Sequence, residues 1–518
     1  MEASSHVSNS DPLSPGPPPR ADLRLHLVPW LVGAIQLLAT LGHWLNNVPL
    51  SRLLELNLCR AYYLAHDPSF VDPDGNVEER FCKLDDVQES LAFYLGLLST
   101  LELVCELIAT IPLGYVSDKL GRRFVLLLNS VSAILAIVWY ICVAHFYKTF
   151  PITAVVAGPF LFLFSGFYNV LGANLNALVA DITDSSAQRT TIFSWTQCGA
   201  QIISLLGPAI SSTALLQSLW LPFDLGIGCL ALIIPCVLLL PETRPWLRKP
   251  TCPRPASTEA ILGDEQGNDV SEDSPLLPDS SQDGVQNGKT TGNIRLHEVL
   301  RKKFRQVAQS QRDLWCLIRI NPSFPLCLLI FLFTTLSKQS INILLQYTSM
   351  KFNISFAEAG YLFSIKAAVS FALYTIFIPG MLHIMTKRLG YSSSYANLFG
   401  LRLSIILLLC GAVLIGLSTE LWMLVIALAL YSLGYGLSLF ALSFITDLAI
   451  RLLDESHVAR TYSVVAFIET IGHTIGIPAL TAAWVQGIKL GGWALALPWW
   501  LSAALYGLIY IPAYYLKG

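Results

Sequence analysis

The sequence predicts an all-α integral membrane protein with about twelve transmembrane helices in two six-helix, pseudo-repeated halves. Its composition is 54% hydrophobic and only 13% charged, whereas soluble globular proteins carry about 25% charged residues. The hydrophobic residues lie in runs of about twenty, long enough to cross roughly 30 Å of bilayer hydrocarbon as helices. A long polar insert separates the earlier runs from the later ones. These observations exclude a soluble globular domain.

The first half begins after a tail, residues 1–26, that is rich in Ser and Pro and is predicted to be disordered and cytoplasmic. The tail lacks the apolar core and the small-residue cleavage site of a signal peptide, so the first span is expected to stay in the chain. The predicted N-terminal half is 27–241, and its spans are 27–48, 90–115, 124–146, 153–180, 191–213 and 221–240.

The second half follows a linker, residues 242–322, which is predicted to be cytoplasmic and largely disordered. Its middle consists mainly of Asp, Ser, Gly, Asn and Gln, and it has few of the large apolar side chains that a core needs. The predicted C-terminal half is 323–518, and its spans are 323–347, 357–381, 395–417, 421–446, 462–486 and 493–515. This layout is typical of a duplicated transporter.

The basic residues of the short loops predict the orientation in the membrane. One alternating set of loops carries most of them: Lys119, Arg122, Arg123, Arg189, Lys387, Arg388, Arg451 and Arg460. The positive-inside rule therefore predicts that both termini and the linker are cytoplasmic. We expect the protein in the plasma membrane. An acidic dileucine pattern at residues 272–277 leaves the vacuolar membrane as the alternative.

Two features of the predicted outside face concern covalent modification. Cys59 and Cys82 lie in the polar loop after the first span, where a disulfide is one interpretation and two free thiols are the other. Asn353 begins an N-glycosylation sequon that would face outside, very close to the membrane. Both assignments depend on the predicted orientation.

The loop between the second and third spans carries the most specific motif. Residues 114–123 read Gly-Tyr-Val-Ser-Asp-Lys-Leu-Gly-Arg-Arg, which resembles the G-x-x-x-D-[RK]-x-G-R-[RK] signature of the major facilitator superfamily. In physical terms Gly114 permits close helix packing and Gly121 allows a tight reversal. Asp118 is placed to cap a helix or to pair with an arginine, a contact that can hold one face closed. The alternative interpretation is a merely basic turn. The matched positions are Gly114, Asp118, Gly121, Arg122 and Arg123.

Short repeated patterns support a duplication. The counterpart of the motif in the second half, residues 379–388, has Ile384 where the first copy has an aspartate, so the contact is expected to be asymmetric. The loops after the fourth and tenth spans share an Asp…Arg pattern, which we assign to gating or structure: Asp181 with Arg189, and Asp447 with Arg460.

The chain resembles fungal members of this superfamily and is distantly similar to its proton-coupled folate and tetracycline-resistance branches. The asparagines of the first span, the cysteines of the first loop and residues 180–183 carry this resemblance. It implies a central cavity lined by the first, fourth, seventh and tenth spans. The polar residues that we predict to line the cavity are His43, Asn46, Asn47, Asn169, Asn174, Lys338, Asn342, Gln346, Tyr431 and Tyr435.

Two pairs of ionisable residues, each separated by one helical turn, are the candidates for proton coupling. Glu102 and Glu106 lie in the second span, where two close carboxylates in a low-dielectric site cannot both stay ionised easily. Glu469 and His473 lie in the eleventh span, and a carboxylate–imidazole pair can relay protons. For both pairs the alternative interpretation is a structural contact between helices.

The motifs favour a secondary active transporter of a small organic molecule. The sequence has no G-x-x-x-x-G-K-[ST] motif, so the proton gradient is the expected energy source. It also lacks H-E-x-x-H and G-x-S-x-G, so we expect neither an enzyme nor a metal or cofactor site. No basic patch with interleaved aromatics indicates nucleic-acid binding. The expected partners are a small-molecule substrate, protons and the lipid bilayer, and the chain is expected to be monomeric.

Proton-coupled efflux of a secondary metabolite or drug is the leading hypothesis, because neutral amides and tyrosines suit an uncharged or amphipathic solute. Proton-coupled uptake of a nutrient or vitamin-like anion is the alternative. Lys338 is the residue that argues for an anion, and Lys366 is a weaker candidate for the same role. A non-transporting receptor and a membrane enzyme are more distant alternatives.

Overall fold

Helices occupy most of the chain that this computed structural model describes, namely residues 21–73, 75–182, 186–240, 323–453 and 458–516. All regular secondary structure within these ranges is helical, which confirms the predicted fold class. Eleven helical segments in them are long and apolar enough to cross a bilayer. Residues 1–20, in the predicted tail, and 241–322, which include the predicted linker and the dileucine pattern, lie outside the described residues.

The helices of the first half pack around an apolar core. α1 contacts α5 and α6, and α3 contacts α4 and α6. The core between them includes Ile35, Leu126, Leu175 and Ile233. Because lipid is as apolar as these side chains, close packing rather than transfer out of water stabilises such a core. The helices are α1 (Ala21–His66), α2 (Asp85–Leu120), α3 (Arg122–His145), α4 (Phe167–Ile182), α5 (Ser186–Gln217) and α6 (Leu221–Leu239).

α1 is much longer than the predicted first span, which ends at residue 48. It continues to His66, and its last turns carry charged residues. Cys59 in this extension forms a disulfide with Cys82 in the 3₁₀ turn Glu79–Cys82. We call this end of the bundle the disulfide end.

The predicted fourth span, residues 153–180, is not one continuous α-helix. A 3₁₀ helix, Ile152–Phe164, precedes α4, and Gly166 between them has φ 63°. A Cβ built on Gly166 would lie 2.2 Å from Cγ2 of Val170, so a side chain is excluded at this position. The left-handed backbone also favours glycine.

Side chains of α3 hold this irregular segment in place through hydrogen bonds. They donate hydrogen bonds to carbonyl groups of the segment, which matters because lipid offers no alternative donors. The bonds run from Asn129 Nδ2 to Ser165 O (3.2 Å), from Ser132 Oγ to Leu161 O (2.7 Å) and from Trp139 Nε1 to Ala154 O (2.8 Å).

The second half repeats the arrangement with more interruptions. Its seventh and tenth spans are broken by the 3₁₀ segments Gln339–Ile343 and Gly434–Gly436, and its eighth span contains the π-helical segments Leu373–Phe377 and Ile384–Arg388. Non-α backbone at membrane depth is typical of places that line a cavity. The helices are α7 (Ser323–Lys338), α8 (Leu344–Phe352), α9 (Phe356–Ala372), α10 (Ile378–His383), α11 (Ser393–Leu417), α12 (Leu421–Leu433), α13 (Leu437–Leu453), α14 (Val458–Leu490) and α15 (Leu497–Tyr515).

Within the described residues, the two halves contact each other most extensively along two helix pairs, α2 with α14 and α5 with α9, and α1 also touches α9. A Cβ built on Gly96 of α2 would lie 2.8 Å from Cβ of Thr481, and one built on Gly360 of α9 would lie 2.2 Å from Oγ of Ser212. Both distances are shorter than a real Cβ contact, so both pairs of helices approach as closely as glycine allows. Both glycines lie in the early turns of helices that begin at the disulfide end.

Candidate transport site

A buried carboxylate organises the charged groups at the disulfide end. The side chain of Glu55 is 0% exposed. Its carboxylate accepts hydrogen bonds from Arg52 Nη1 (2.7 Å), Lys83 Nζ (2.8 Å) and Gln88 Nε2 (2.6 Å). Three donors, two of them charged, compensate for the loss of hydration that burial imposes on this group.

The same charged groups reach across to the second half. Lys83 Nζ donates to Ser349 Oγ (2.6 Å), and the Glu79 carboxylate accepts from the backbone N–H of Phe356 (2.7 Å). Gln346 Nε2 donates to the backbone oxygen of Gln88 (2.7 Å). We call the set that joins the halves here the latch: Glu55, Glu79, Lys83, Gln88, Gln346 and Ser349.

The latch brings together one residue that the sequence analysis placed in the cavity and several that it did not identify. Gln346, a predicted cavity residue, also accepts a hydrogen bond from Trp484 Nε1 (2.9 Å). Glu55, in the extension of α1, and Lys83, in the loop that follows it, were not identified from the sequence. The available signal was that this loop carries charge on a face whose other loops are almost bare.

At the opposite end, the signature motif ties three helices of the first half together. Gly121, with φ 100°, makes the reversal from α2 to α3 that was predicted for it. Ser117 Oγ donates to Asn174 Oδ1 and accepts from Arg122 Nη1 (3.2 Å). Asn174, which was predicted to line the cavity, therefore connects α4 to the motif.

Gly114 does not show the close packing that was expected of it. A Cβ at this position would meet no atom within 4 Å, so the helix has open space there in this conformation. Arg123 is half-buried.

The predicted gating residues are described only in part. Ser394 Oγ donates to the carboxylate of Asp447 (3.2 Å), which joins α11 to α13. The side chains of Asp118, Asn169, Asp181, Arg189 and Arg460 lie outside the described residues.

A cavity of about 90 Å³ lies inside the first half, and several predicted residues line it. We call it the first-half chamber. Asn46 Oδ1 is buried there and has no hydrogen-bond partner among the described residues. The His43 and Tyr168 rings pack edge to face, with centroids 5.2 Å apart. The polar residues lining the chamber are His43, Asn46, Asn47, Asn129, Ser130, Tyr140 and Tyr168.

The first-half chamber adjoins the predicted proton-coupling pair. Tyr140, which lines the chamber, donates from its hydroxyl to Glu102 Oε1 (3.3 Å). Glu106 is buried one turn further along α2. The structure thus places Glu102 beside the chamber through Tyr140, a residue that the sequence analysis did not identify. An isolated Tyr in an apolar span gives no signal of such a role.

A second polar cluster lies between α2, the seventh span and α14. Gln339 Nε2 lies 2.6 Å from His473 Nδ1, and Asn342 Nδ2 donates to Gln339 Oε1 (3.0 Å). Gln339, Asn342, Gln346 and Trp484 line a cavity of about 40 Å³ between the halves. Asn342 was predicted to line a central cavity, and it is one of the residues that line this one.

The remaining candidates lie in the second half. Lys338 Nζ donates to Ser438 Oγ (2.7 Å), and its ammonium group lies 5.2 Å from the Tyr435 ring centroid. Tyr431 is fully buried, and its hydroxyl lies 3.0 Å from that of Tyr506. Tyr431 therefore contributes to packing. Glu469 is half-buried on α14 and interacts electrostatically with Lys338.

Asn353, the candidate glycosylation residue, is exposed in the turn between α8 and α9. Its φ of 53° gives the left-handed C-cap in which Asn is well tolerated. Ser355, two residues later, forms a capping box with Glu358 at the start of α9. The two polar residues of the sequon thus also have local structural roles.

Comparison with known proteins gives a consistent family assignment. The model described as Major Facilitator Superfamily matches residues 84–477. The MFS efflux pump atnC of Emericella nidulans is 28% identical, over 92% of this chain and 85% of that protein. The efflux pump ustT of Aspergillus flavus is 26% identical, over 86% of this chain and 79% of that protein.

Solved structures share the fold at low sequence identity. The human organic anion transporter MFSD10 gives a TM-score of 0.52 at 18% identity, and covers 96% of this chain and 100% of that one. A D-xylose-proton symporter gives a TM-score of 0.56 at 11% identity, over 94% and 98% of the respective chains. At these identities the likeness establishes the fold.

Proposed function

The chain belongs to the major facilitator superfamily, and we propose that it exports a small organic molecule in exchange for protons. The family makes it a multi-pass membrane transporter and not an enzyme. Two relatives that match most of its length are named efflux pumps, which supports export of a metabolite or drug.

The observation that carries the proton coupling is the position of Glu102. Its carboxylate accepts from Tyr140 at the edge of the first-half chamber. A cavity of about 90 Å³ has room for several water molecules, since each needs about 10–15 Å³ of such volume. Water there would give Glu102 a route for proton exchange that does not pass through lipid. Intramembrane carboxylates of this kind typically belong to proton pathways.

Transport would follow from rocking of the two halves about a central site. The latch holds the halves together at the disulfide end through Lys83, Ser349, Glu79 and the N-terminus of α9. Opening of that end has to break these bonds, and closing it has to reform them. Such a set of contacts can make the protein bistable between two conformations.

Glu102→Gln tests the coupling, because glutamine keeps the shape of the side chain but cannot ionise. In proteoliposomes loaded with a pH-sensitive dye, we expect substrate-dependent proton flux to fall at least tenfold, with substrate binding retained. A panel of small metabolites serves as the substrate source. Glu420→Gln is the matched control, since Glu420 is exposed at the start of α12 and its side chain forms no capping hydrogen bond. Undiminished proton flux in Glu102→Gln would contradict the assignment.

The sign of that flux separates export from its alternative. Protons moving opposite to the solute support export, whereas protons moving with the solute support uptake of a nutrient or vitamin-like anion. A lack of solute movement across the whole panel would favour a non-transporting receptor.

The location and orientation belong to the same proposal. The basic loops support cytoplasmic termini, with the disulfide end outside the cell. A disulfide is also expected to persist on an extracellular surface. We place the protein in the plasma membrane as a monomer, with the vacuolar membrane as the alternative location.

A further inference from the structure

Two lysines from different spans of the second half converge on one aromatic ring. Lys338 is the last residue of α7, and its Nζ lies 5.2 Å from the ring centroid of Tyr435. Lys366, in α9, places its Nζ 4.7 Å from the same centroid. Both side chains lie within predicted membrane-spanning segments, where a lysine is costly and usually functional.

Lys338, Lys366 and the Tyr435 hydroxyl together offer more hydrogen-bond donors than the surrounding residues offer acceptors. Lys338 donates to Ser438 Oγ. Among the described residues, Lys366 forms neither a hydrogen bond nor an ion pair, and its recorded contact is with the Tyr435 ring. The Tyr435 hydroxyl is buried and also has no hydrogen-bond partner there. Unpaired donors in a low-dielectric site are unfavourable unless an acceptor arrives from outside the protein.

The local charge is also unbalanced. Glu469, on α14, attracts Lys338 electrostatically but does not form an ion pair with it within the described part of the chain. His473, one turn further on, contacts Gln339. Two ammonium groups against one carboxylate leave a surplus of about one positive charge, which a monovalent anion would neutralise.

The backbone fixes this arrangement. Lys338 lies where α7 gives way to the 3₁₀ segment Gln339–Ile343, and Tyr435 lies at the centre of the 3₁₀ turn Gly434–Gly436. A Cβ on Gly434 would lie 2.5 Å from Leu408 Cγ, so the turn packs directly onto α11. Helix interruptions that face each other across a bundle are where transporters commonly bind their substrates.

We propose that Lys338, Lys366 and Tyr435 bind the anionic group of the transported solute, which is therefore an organic acid carrying one negative charge. This inference rests on the proposed transport function and specifies its substrate class. The two ammonium groups and the Tyr435 hydroxyl donate to the anion, and the ring supports the adjoining part of the solute. The predicted neutral character of the cavity thus does not extend to this site.

The test compares aromatic carboxylic acids with their amides. The purified full-length protein in nanodiscs is titrated with a panel of such pairs, beginning with 2-naphthoate and 2-naphthamide, and binding is followed by thermal stabilisation. We expect at least one acid to bind tenfold or more tightly than its amide. Lys338→Gln and Lys366→Gln should each weaken that acid by about tenfold and leave the amide unaffected. Lys338→Arg and Lys366→Arg should restore most of the affinity.

Lys351→Gln is the matched control. Lys351 lies in the last turn of α8, and it bonds to Tyr347 Oη (2.6 Å), away from Tyr435. If no acid in the panel binds more tightly than its amide, or if both Lys→Gln variants bind the acid as the unmodified protein does, the anion site is overturned. Transport of an aromatic acid that continues undiminished in Lys338→Gln/Lys366→Gln would overturn the anion site and leave the transport function standing. Absence of any transport by the unmodified protein would instead overturn the function.

Discussion

Gly166 is the residue on which the break in the fourth span depends. Its positive φ is unfavourable for any residue with a Cβ, and the nearest side-chain atom of Val170 occupies the place where that Cβ would lie. The neighbouring 3₁₀ segment forms one wall of the first-half chamber through Phe162. A single glycine therefore shapes the surroundings of the proposed proton site.

We expect Gly166→Ala to destabilise the protein by about 1–3 kcal/mol, from the left-handed backbone together with the contact at Val170. Thermal unfolding in detergent, followed by circular dichroism, measures this change. Gly172→Ala is the control, because a Cβ there would meet no atom within 4 Å and alanine favours the helix. Equal stability of the two variants would show that the break does not require Gly166.

Single residues were predictable from sequence where they conflict with their surroundings. Glu102 and Lys338 were identified because a charge within an apolar run is costly. Glu55 and Lys83 were not, because in a polar loop they resemble ordinary solvated groups. Their importance comes from contacts such as that of Lys83 with Ser349, which is 266 positions away. No local pattern encodes a contact of that separation.

At the scale of elements, hydrophobic length predicted the helices better than it predicted their ends and interruptions. α11, α14 and α15 all coincide with predicted spans to within a few residues. The extension of α1 beyond residue 48 was missed because its sequence becomes polar there. In the structure the helix continues to His66, and its charged residues pair with residues of the loop that follows it. The 3₁₀ segment before α4 was missed because its carbonyl groups bond to side chains of α3, a contact that no local pattern encodes.

The latch is the element whose function is most directly testable. Lys83→Met keeps most of the side-chain volume but removes the charge that pairs with Glu55 and Glu79 and bonds to Ser349. We expect the disulfide end to open more often, because a buried carboxylate then loses a charged partner. With Asn342→Cys as a reporter in the cavity between the halves, its alkylation rate by a membrane-impermeant maleimide should rise about tenfold.

Lys148→Met is the control for this change, since Lys148 is exposed and has no recorded contact with the latch. Its alkylation rate should match that of the reporter alone. An unchanged rate in Lys83→Met would mean that the charged contacts do not hold this end closed.

At the scale of the whole molecule, duplication predicted two halves but not which end of the interface is closed. The closed end depends on which of two packings is occupied, and one sequence has to support both. In this structure the closed end is marked by the latch and by the glycine contacts of α2 with α14 and of α5 with α9. Because these contacts lie on different helix pairs, the halves are held on both sides of their interface.

Covalent closure of one of these helix pairs tests whether the halves must separate. In Gly96→Cys/Thr481→Cys the two Cβ atoms would lie about 2.8 Å apart before relaxation, and a shift of about 1 Å brings them to disulfide geometry. We expect oxidation to abolish solute transport in proteoliposomes and reduction to restore it. The two single-cysteine variants and the unmodified protein, taken through the same oxidation and reduction, control for the native Cys59–Cys82 bond and the free thiols. Transport that continues through the cross-linked protein would mean that solute passes without separation of α2 from α14, and it would remove alternating access at the disulfide end from the mechanism.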